Sequence, residues 1–518
     1  MSTRPRHSQR AEEEESSRSQ DNTRDAYRPA SANQASPGDP NLPSLGQHAP
    51  HPDTLTRKGS TIGARYDQPA LATSTIGGSS LRFGYAHTTA YTESARDSQN
   101  PHGRVSRRDN DDMASVYSYN STRDVREFVK EMHGRIFNRL NDAYLLPSDE
   151  EEWNRLDKQH SAITIAMGGL YPCQEDVEAI LSPADGVEKR ILDIGCGTGS
   201  WAIEMATRFP HCTVVGVDVA PTPLDAASFP PNLSFEIDDV NLGLTHFQDS
   251  FDLVHMRCVM GGIKDLRKTL EEMQTCVKPG GILIVIDGDL RLYKDLNTIY
   301  PLAKVPGDQD VSGVSEDGAW LSRVIWEACQ GCNVAGSNIE GSKHVLERGL
   351  WNYSLLDPET AVGGHFFFPL GPWATSEDLE RTQTLQYVGV LMRQAFLNIH
   401  RAYHGIMRKH GMPQSVLDEW SKRVDDEVGN TKRKLWVRFI FCCARRREAP
   451  GQPAPELPAP SPTSEPVIDT SRPPYATFEM WHNEEQALVE QHRRIITTGD
   501  LPQSVLRAAY ANMSPKQS

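Results

Sequence analysis

Asp193, three glycines at alternate positions (Gly195, Gly197 and Gly199) and Asp218 share one stretch, "ILDIGCGTGSWAIEMATRFPHCTVVGVD", running from Ile191 to Asp218. An apolar run ends near the first acid, and a second apolar run ends at the other. A strand that finishes in Gly-x-Gly-x-Gly and then opens a helix brings bare backbone close to a ligand, because glycine has no side chain to block it and tolerates positive φ. In a doubly wound sheet such a turn lies at the carboxyl ends of the strands, where ligands bind. Asp218 stands 19 residues beyond Gly199, where a carboxylate accepts hydrogen bonds from a ribose diol. The chemistry expected is the binding of an adenosine-bearing molecule.

Two features choose among such molecules. Gly197-x-Gly199-x-x-Ala202 can be forced into a dinucleotide fingerprint, but Asp193 precedes the first glycine by two. A carboxylate there faces a pyrophosphate badly and suits the cationic amino end and sulfonium of S-adenosyl-L-methionine. The downstream runs fit the same reading. "FEIDDV" places Asp238 and Asp239 at the end of a third strand, where an acid meets an adenine amino group, with the backbone of Asp239 and Val240 beside it. Cys196 is read as a small residue in the turn, not as a thiol nucleophile.

These residues need a scaffold. Short apolar runs recur at 191–194, 213–217, 233–237, 251–256 and 281–286, with helical stretches at 200–208 and 264–277 between them. Strand and helix in alternation predict an α/β fold with a doubly wound, mostly parallel, seven-stranded sheet covered on both faces. Ahead of it, apolar residues from Val125 to Tyr144 recur at three- and four-residue spacing and predict a helical lead-in. Ser148 is the expected cap of the next helix, with Glu151 bonding back. Further helices are expected near 320–332, 379–410 and 414–428, and a late strand at 435–443.

At 518 residues the chain exceeds one ordinary compact domain. Residues 1–121, rich in Ser, Thr, Arg, Gln, Pro and Gly, are expected to be disordered. The ordered body is expected at 122–447, and 448–518 is expected to be a Pro-rich disordered tail with one possible helix. The net charge of -15 arises entirely beyond residue 112, since residues 1–112 hold 14 acids and 14 bases. An acidic body argues against direct nucleic-acid binding. The odd number of scattered cysteines and the lack of an apolar leader predict an intracellular, reducing location, cytoplasmic or nuclear, with no membrane span. "RVSRRD" around Arg107 is read as solvated bases rather than an import signal. Cys329-x-x-Cys332 lacks a second ligand pair, so no metal is expected.

Residues 190–287 resemble the core of class I, S-adenosylmethionine-dependent methyltransferases, through the glycine turn, Asp218, "FEIDDV", "FDLVHMR" and "CVKPGGILIVID" in order. A narrower resemblance covers about 125–445. The pattern from Tyr144 through Leu146, Pro147, Asp149, Glu152, Arg155 and Leu156 to Gln159 and His160, with "MRCVMGGIKD" and "FPLGPW", is similar to the fungal LaeA-type methyltransferase group. That resemblance implies either methyl transfer to an unidentified small-molecule or protein acceptor, or a nuclear regulator of secondary metabolism and development acting through velvet-type partner proteins. For the transfer itself, His255 and Arg257 after the fourth strand, and Tyr144 and His160 on the lead-in, are the catalytic candidates. Each also has a plain structural reading: a satisfied strand-end histidine, a salt-bridge partner, or packing under a lid. Phe366, Phe367, Phe368 and Trp373 either wall a substrate pocket or pack in the core.

Overall fold

The computed structural model describes residues 117–118, 125–224, 228–457 and 478–506. Its main sheet has nine strands: Tyr117–Ser118 (β1), Lys189–Ile194 (β2), Cys212–Asp218 (β3), Leu233–Ile237 (β4), Phe251–Arg257 (β5), Val277–Tyr293 (β6), Val362–Pro369 (β7), Trp436–Arg445 (β8) and Phe478–Trp481 (β9). They lie in the order β1-β4-β3-β2-β5-β6-β8-β7-β9. From β4 to β6 all neighbours are parallel. β8 runs antiparallel to both β6 and β7. The seven expected strands are therefore present, and a short antiparallel strand is added at each edge.

Helices cover both faces, which is why the parallel strands read as continuous apolar runs. On one face Glu150–Met167 (α1), Gln174–Leu181 (α2), Ser200–Arg208 (α3), Trp320–Val334 (α5), Leu379–Ala402 (α7) and Gln414–Gly429 (α8) pack with Ile191, Leu253 and Ile284. On the other, Leu266–Cys276 (α4), Ile339–Arg348 (α6) and Glu484–Thr498 (α9) pack with Leu192, Ile194 and Val254. The period of two along β2 thus sends Ile191 and Asp193 to one face, Leu192 and Ile194 to the other.

Several expectations change. The lead-in is not one helix. A single turn at Val125–Phe128 is followed by a hairpin, Val129–Met132 against Arg135–Asn138, whose turn residues His133 and Gly134 take φ of 54° and 76°. His-Gly at a positive-φ pair is a hairpin signal that the apolar spacing concealed. The cap of α1 is Asp149, one residue after Ser148: its side chain accepts from the Glu152 amide at 3.2 Å, and Arg135 holds the same carboxylate at 2.6 and 2.8 Å. The expected tail is ordered where described. β9 pairs with β7, α9 packs beside α6, and the amides of Val505 and Leu506 donate to the buried carboxylate of Glu327. The expected disorder of 1–121 falls outside the described residues except at 117–118, which pair with β4. Cys173 and Cys443, expected as free thiols, are joined by a disulfide across 270 positions of sequence, a separation with no local signal. Phe366 and Phe368 pack with Phe439 in the core. Among the described residues no helix is long and apolar enough to cross a membrane, and no cluster of His, Cys, Asp and Glu has metal-binding geometry.

Candidate functional site

A cleft of about 910 Å³ opens over the carboxyl ends of β2, β3, β4 and β5, beneath the lead-in and α1. Asp193, Gly195, Cys196, Gly197, Asp218, Asp238, Asp239 and Val240 line it, together with Tyr144, His160, His255 and Arg257. Of the cofactor and catalytic candidates, Gly199 alone stands back, as the left-handed residue (φ 79°) that opens α3, and Phe366, Phe367, Phe368 and Trp373 lie outside this cleft.

The glycines act in a way the sequence did not suggest. Gly195, Gly197 and Gly199 all have positive φ, but at two of them the vacant Cβ position faces protein. A Cβ on Gly195 would stand 2.3 Å from Val259 Cγ2, and one on Gly199 2.6 Å from Phe235 Cζ. The bare turn therefore lets the loop after β5 and the ring on β4 close in from the sides. The amide of Gly197 donates to Asp218 Oδ2 at 2.8 Å, and the amide of Ala220 donates to Oδ1 at 3.0 Å. Asp218 thus clasps the turn while its remaining lone pairs face the cleft. Burial pushes its carboxyl up to about 6, against the opposing effect of the two amides.

Asp193 and His255 are register partners on adjacent parallel strands, so their side chains lie side by side on one face. His255 Nδ1–H donates to Asp193 Oδ1 at 2.8 Å, and the imidazole stacks on the indole of Trp201 with centroids 3.8 Å apart. His255 is buried and desolvation lowers its pKa, so the neutral ring is favoured. Arg257 Nη2 donates to His160 Nδ1 at 2.7 Å, which leaves His160 Nε2–H to donate to Glu204 at 3.0 Å. The four catalytic candidates are therefore brought to one cleft, but three of them are already engaged with protein partners.

At the end of β4, Asp238 Oδ1 accepts from the Asp239 amide at 2.8 Å, while Oδ2 is buried without a hydrogen-bond partner. Its carboxyl is pushed up to about 7, chiefly by burial. Asp239 points elsewhere: Oδ1 accepts from the amide and side chain of Asn241 at 3.1 and 2.7 Å, and from Asn141 Nδ2 at 3.3 Å. Asn141 also donates to the Gly262 carbonyl at 2.8 Å and accepts from the amides of Ala143 and Tyr144. It joins the lead-in to two loops of the cleft. Sequence reasoning missed it, although "LND" is a turn signal that places an amide side chain near its own backbone. Trp201 and Val259 were missed because only strand register and loop packing bring them to the turn.

Residues 185–327, which carry the glycine turn and β2 to β6, match a family described as a methyltransferase domain. The chain is 44% identical over 165 residues to the secondary metabolism regulator laeA of Coprinopsis cinerea, covering 32% of this chain and 40% of that protein. It is 34% identical over 170 residues to the protein-methionine methyltransferase laeA of Emericella nidulans, covering 32% of this chain and 42% of that one. The match thus spans less than half the length of either relative. Among solved structures, phosphoethanolamine N-methyltransferase 2 of Haemonchus contortus with S-adenosyl-L-methionine aligns at 15% identity and a TM-score of 0.27, over 55% of this chain and 54% of that one. So low a score carries no argument, and the strand order stands on its own.

Proposed function

We propose that the chain transfers a methyl group from S-adenosyl-L-methionine to an acceptor. The observation that carries this is Asp218. Within a methyltransferase domain, a largely buried carboxylate holds the glycine turn and still offers lone pairs to the cleft. The other residues fit the same ligand. Asp238 Oδ2, buried without a hydrogen-bond partner and 3.6 Å from His246 Nε2, matches an adenine amino donor beside the backbone of Asp239 and Val240. Asp193, steadied by His255, lies where the cationic amino end would rest, on the floor formed by Gly195, Cys196 and Gly197. When bound, the sulfonium compound supplies an activated methyl carbon. The residues of the chain bind it, align it and exclude water, and such alignment provides much of the rate in an in-line displacement. His255 acts as a positioning residue for Asp193, and the chain Arg257–His160–Glu204 holds α1 over the cleft. Calorimetric titration of Asp218→Ala with S-adenosylhomocysteine tests the assignment: affinity equal to the unaltered protein removes Asp218 from the site.

A second reading draws on the similarity to secondary metabolism regulators. Here the chain binds the cofactor but acts in the nucleus or cytoplasm chiefly through velvet-type partners. Rescue of a null strain by a variant that cannot bind S-adenosylhomocysteine favours this reading; failure to rescue favours catalysis.

A further inference from the structure

A second cavity of about 1000 Å³ lies against the first. Tyr144, Gln159 and Cys258 line both cavities and form the partition between them. Behind that partition the walls are largely aliphatic and aromatic, with Leu290, Ile325, Phe396, Ile406, Val437 and Phe439 drawn from β6, α5, α7, the short helix His404–Lys409 and β8. Most of these side chains are buried in the core. We propose that this cavity is the acceptor chamber and that it takes a small, mainly apolar molecule, whose accepting atom is presented to the donor cleft at Tyr144, Gln159 and Cys258. The proposal rests on the methyl-transfer reading above and adds the class of acceptor to it.

Three observations support it. The lining has the mostly apolar character of small-molecule sites. The polar groups in the lining are committed to protein. Asp287 accepts from the amides of Val259, Met260 and Gly288 at 2.8, 2.9 and 2.7 Å. Arg155 is held by Glu152 and Gln159, and Arg438 by Asp289 and Glu347. Arg291 pairs with Glu340 at 3.7 Å, so each charged side chain of the lining has an ionic or hydrogen-bonding partner in the protein. Finally, Cys258 and Leu290, which flank the chamber, are non-glycine residues at φ of 61° and 64°. Such backbone strain persists where surrounding structure over-determines it, often at ligand sites.

The partition offers no ready proton acceptor. Burial pushes the Cys258 thiol up to about 12 and raises the phenols of Tyr144 and Tyr403. The accepting atom therefore brings its own lone pair. Its electron pair forms the new bond to the methyl carbon as the sulfur–carbon bond breaks and that pair returns to sulfur. An acceptor that enters as an anion leaves neutral. One that enters neutral leaves as a cation, or loses a proton to water afterwards.

The test uses the full chain and N-phenyl-1-naphthylamine, a neutral apolar fluorophore. A Cβ on Gly261 meets nothing within 4 Å, and one on Gly288 meets only ordinary contact with the Phe439 ring at 3.7 Å. Gly261→Leu and Gly288→Leu thus add bulk to the chamber from two separate walls. The expected result is saturable probe binding at one site, weakened at least about tenfold in both variants, with affinity for S-adenosylhomocysteine changed less than about twofold. With labelled S-adenosylmethionine and a cell extract, label is expected in the small-molecule filtrate and to be lost in both variants. Absence of saturable probe binding, unchanged probe binding in the filled variants, or label confined to protein overturns the proposal. Failure of the unaltered protein to bind S-adenosylhomocysteine instead overturns the methyl-transfer reading, so the two failures are distinct.

Discussion

The two cavities are neighbours but are built differently. The donor cleft is the more polar of the two and takes most of its functional residues from strand ends and the turns that follow them between Asp193 and Arg257, one contiguous run of the chain. The chamber is apolar and collects side chains from segments as distant as Tyr144 and Phe439. A site for a fixed, charged nucleoside can be made by local backbone geometry, because glycine turns and strand-end acids bind through positions set by a few residues. A site for an apolar guest depends on shape, and shape comes from packing between elements remote in sequence. The difference teaches that one half of such a protein is read from motifs and the other half only from the fold.

The comparison can be broken most decisively at Asp218. Asp218→Ala removes a charged acceptor and the clasp on Gly197, and hydrogen bonds to charged groups contribute about 1.5–3 kcal/mol. Affinity for S-adenosylhomocysteine is expected to fall roughly ten- to a hundredfold by calorimetry, with probe binding in the chamber preserved. An equal loss at both sites would show that the cavities are not separable.

The next effect is on pH. Asp218 and Asp238 have carboxyls raised to about 6 and about 7, and each accepts more strongly from the ligand when ionised. Affinity for S-adenosylhomocysteine should weaken as pH falls through 7 and then 6, approaching about tenfold per pH unit for each group once below its pKa. Asp218→Asn should remove the lower of the two transitions. The linkage to folding has the opposite sense. For carboxyls raised above their unfolded value, the favourable contribution is fully present below the ordinary carboxylate range near pH 4, and it is lost as pH rises through about 6 and 7. Binding in the apolar chamber should show little of this dependence, measured with the neutral fluorophore over the same range.

Asn141→Ala should come third. It leaves the amides of Ala143 and Tyr144 without their side-chain partner and the Gly262 carbonyl with Asn241 alone. A loss of about 1–3 kcal/mol is expected in chemical denaturation, with a severalfold loss of nucleoside affinity. The smallest effect is the contrast between two glycines. Gly199→Ala places a methyl group at positive φ against Phe235 and should cost about 1–2 kcal/mol or more. Gly261→Ala, in open space, should stay within about 0.5 kcal/mol. Comparable thermal midpoints for the two variants would contradict the close packing at the turn.

Much of the scaffold was legible. α3 occupies Ser200–Arg208 as its amphipathic pattern requires, and the five parallel strands lie at their apolar runs. The lead-in was misread because three- and four-residue apolar spacing over 125–144 also fits a hairpin, and the turn at His133 and Gly134 decides between them. The one possible helix of the tail is present as Glu484–Thr498, but its docking was not legible, because 478–506 is held by a few specific contacts rather than by a dense apolar pattern. Glu327 and the edge of β7 are what fix it.

At the donor site, the sequence by itself determined which residue types would gather: acids at the ends of β2, β3 and β4, and a turn without side chains between the first two. Those follow from local rules of strand, turn and charge, which act over a few residues. Only the tertiary structure decided what each does. Strand register set Asp193 beside His255, packing filled the space above Gly195 and Gly199 with Val259 and Phe235, and folding enclosed an apolar chamber next to the cleft. Those outcomes depend on distances between segments far apart in the chain, and no local pattern encodes such distances.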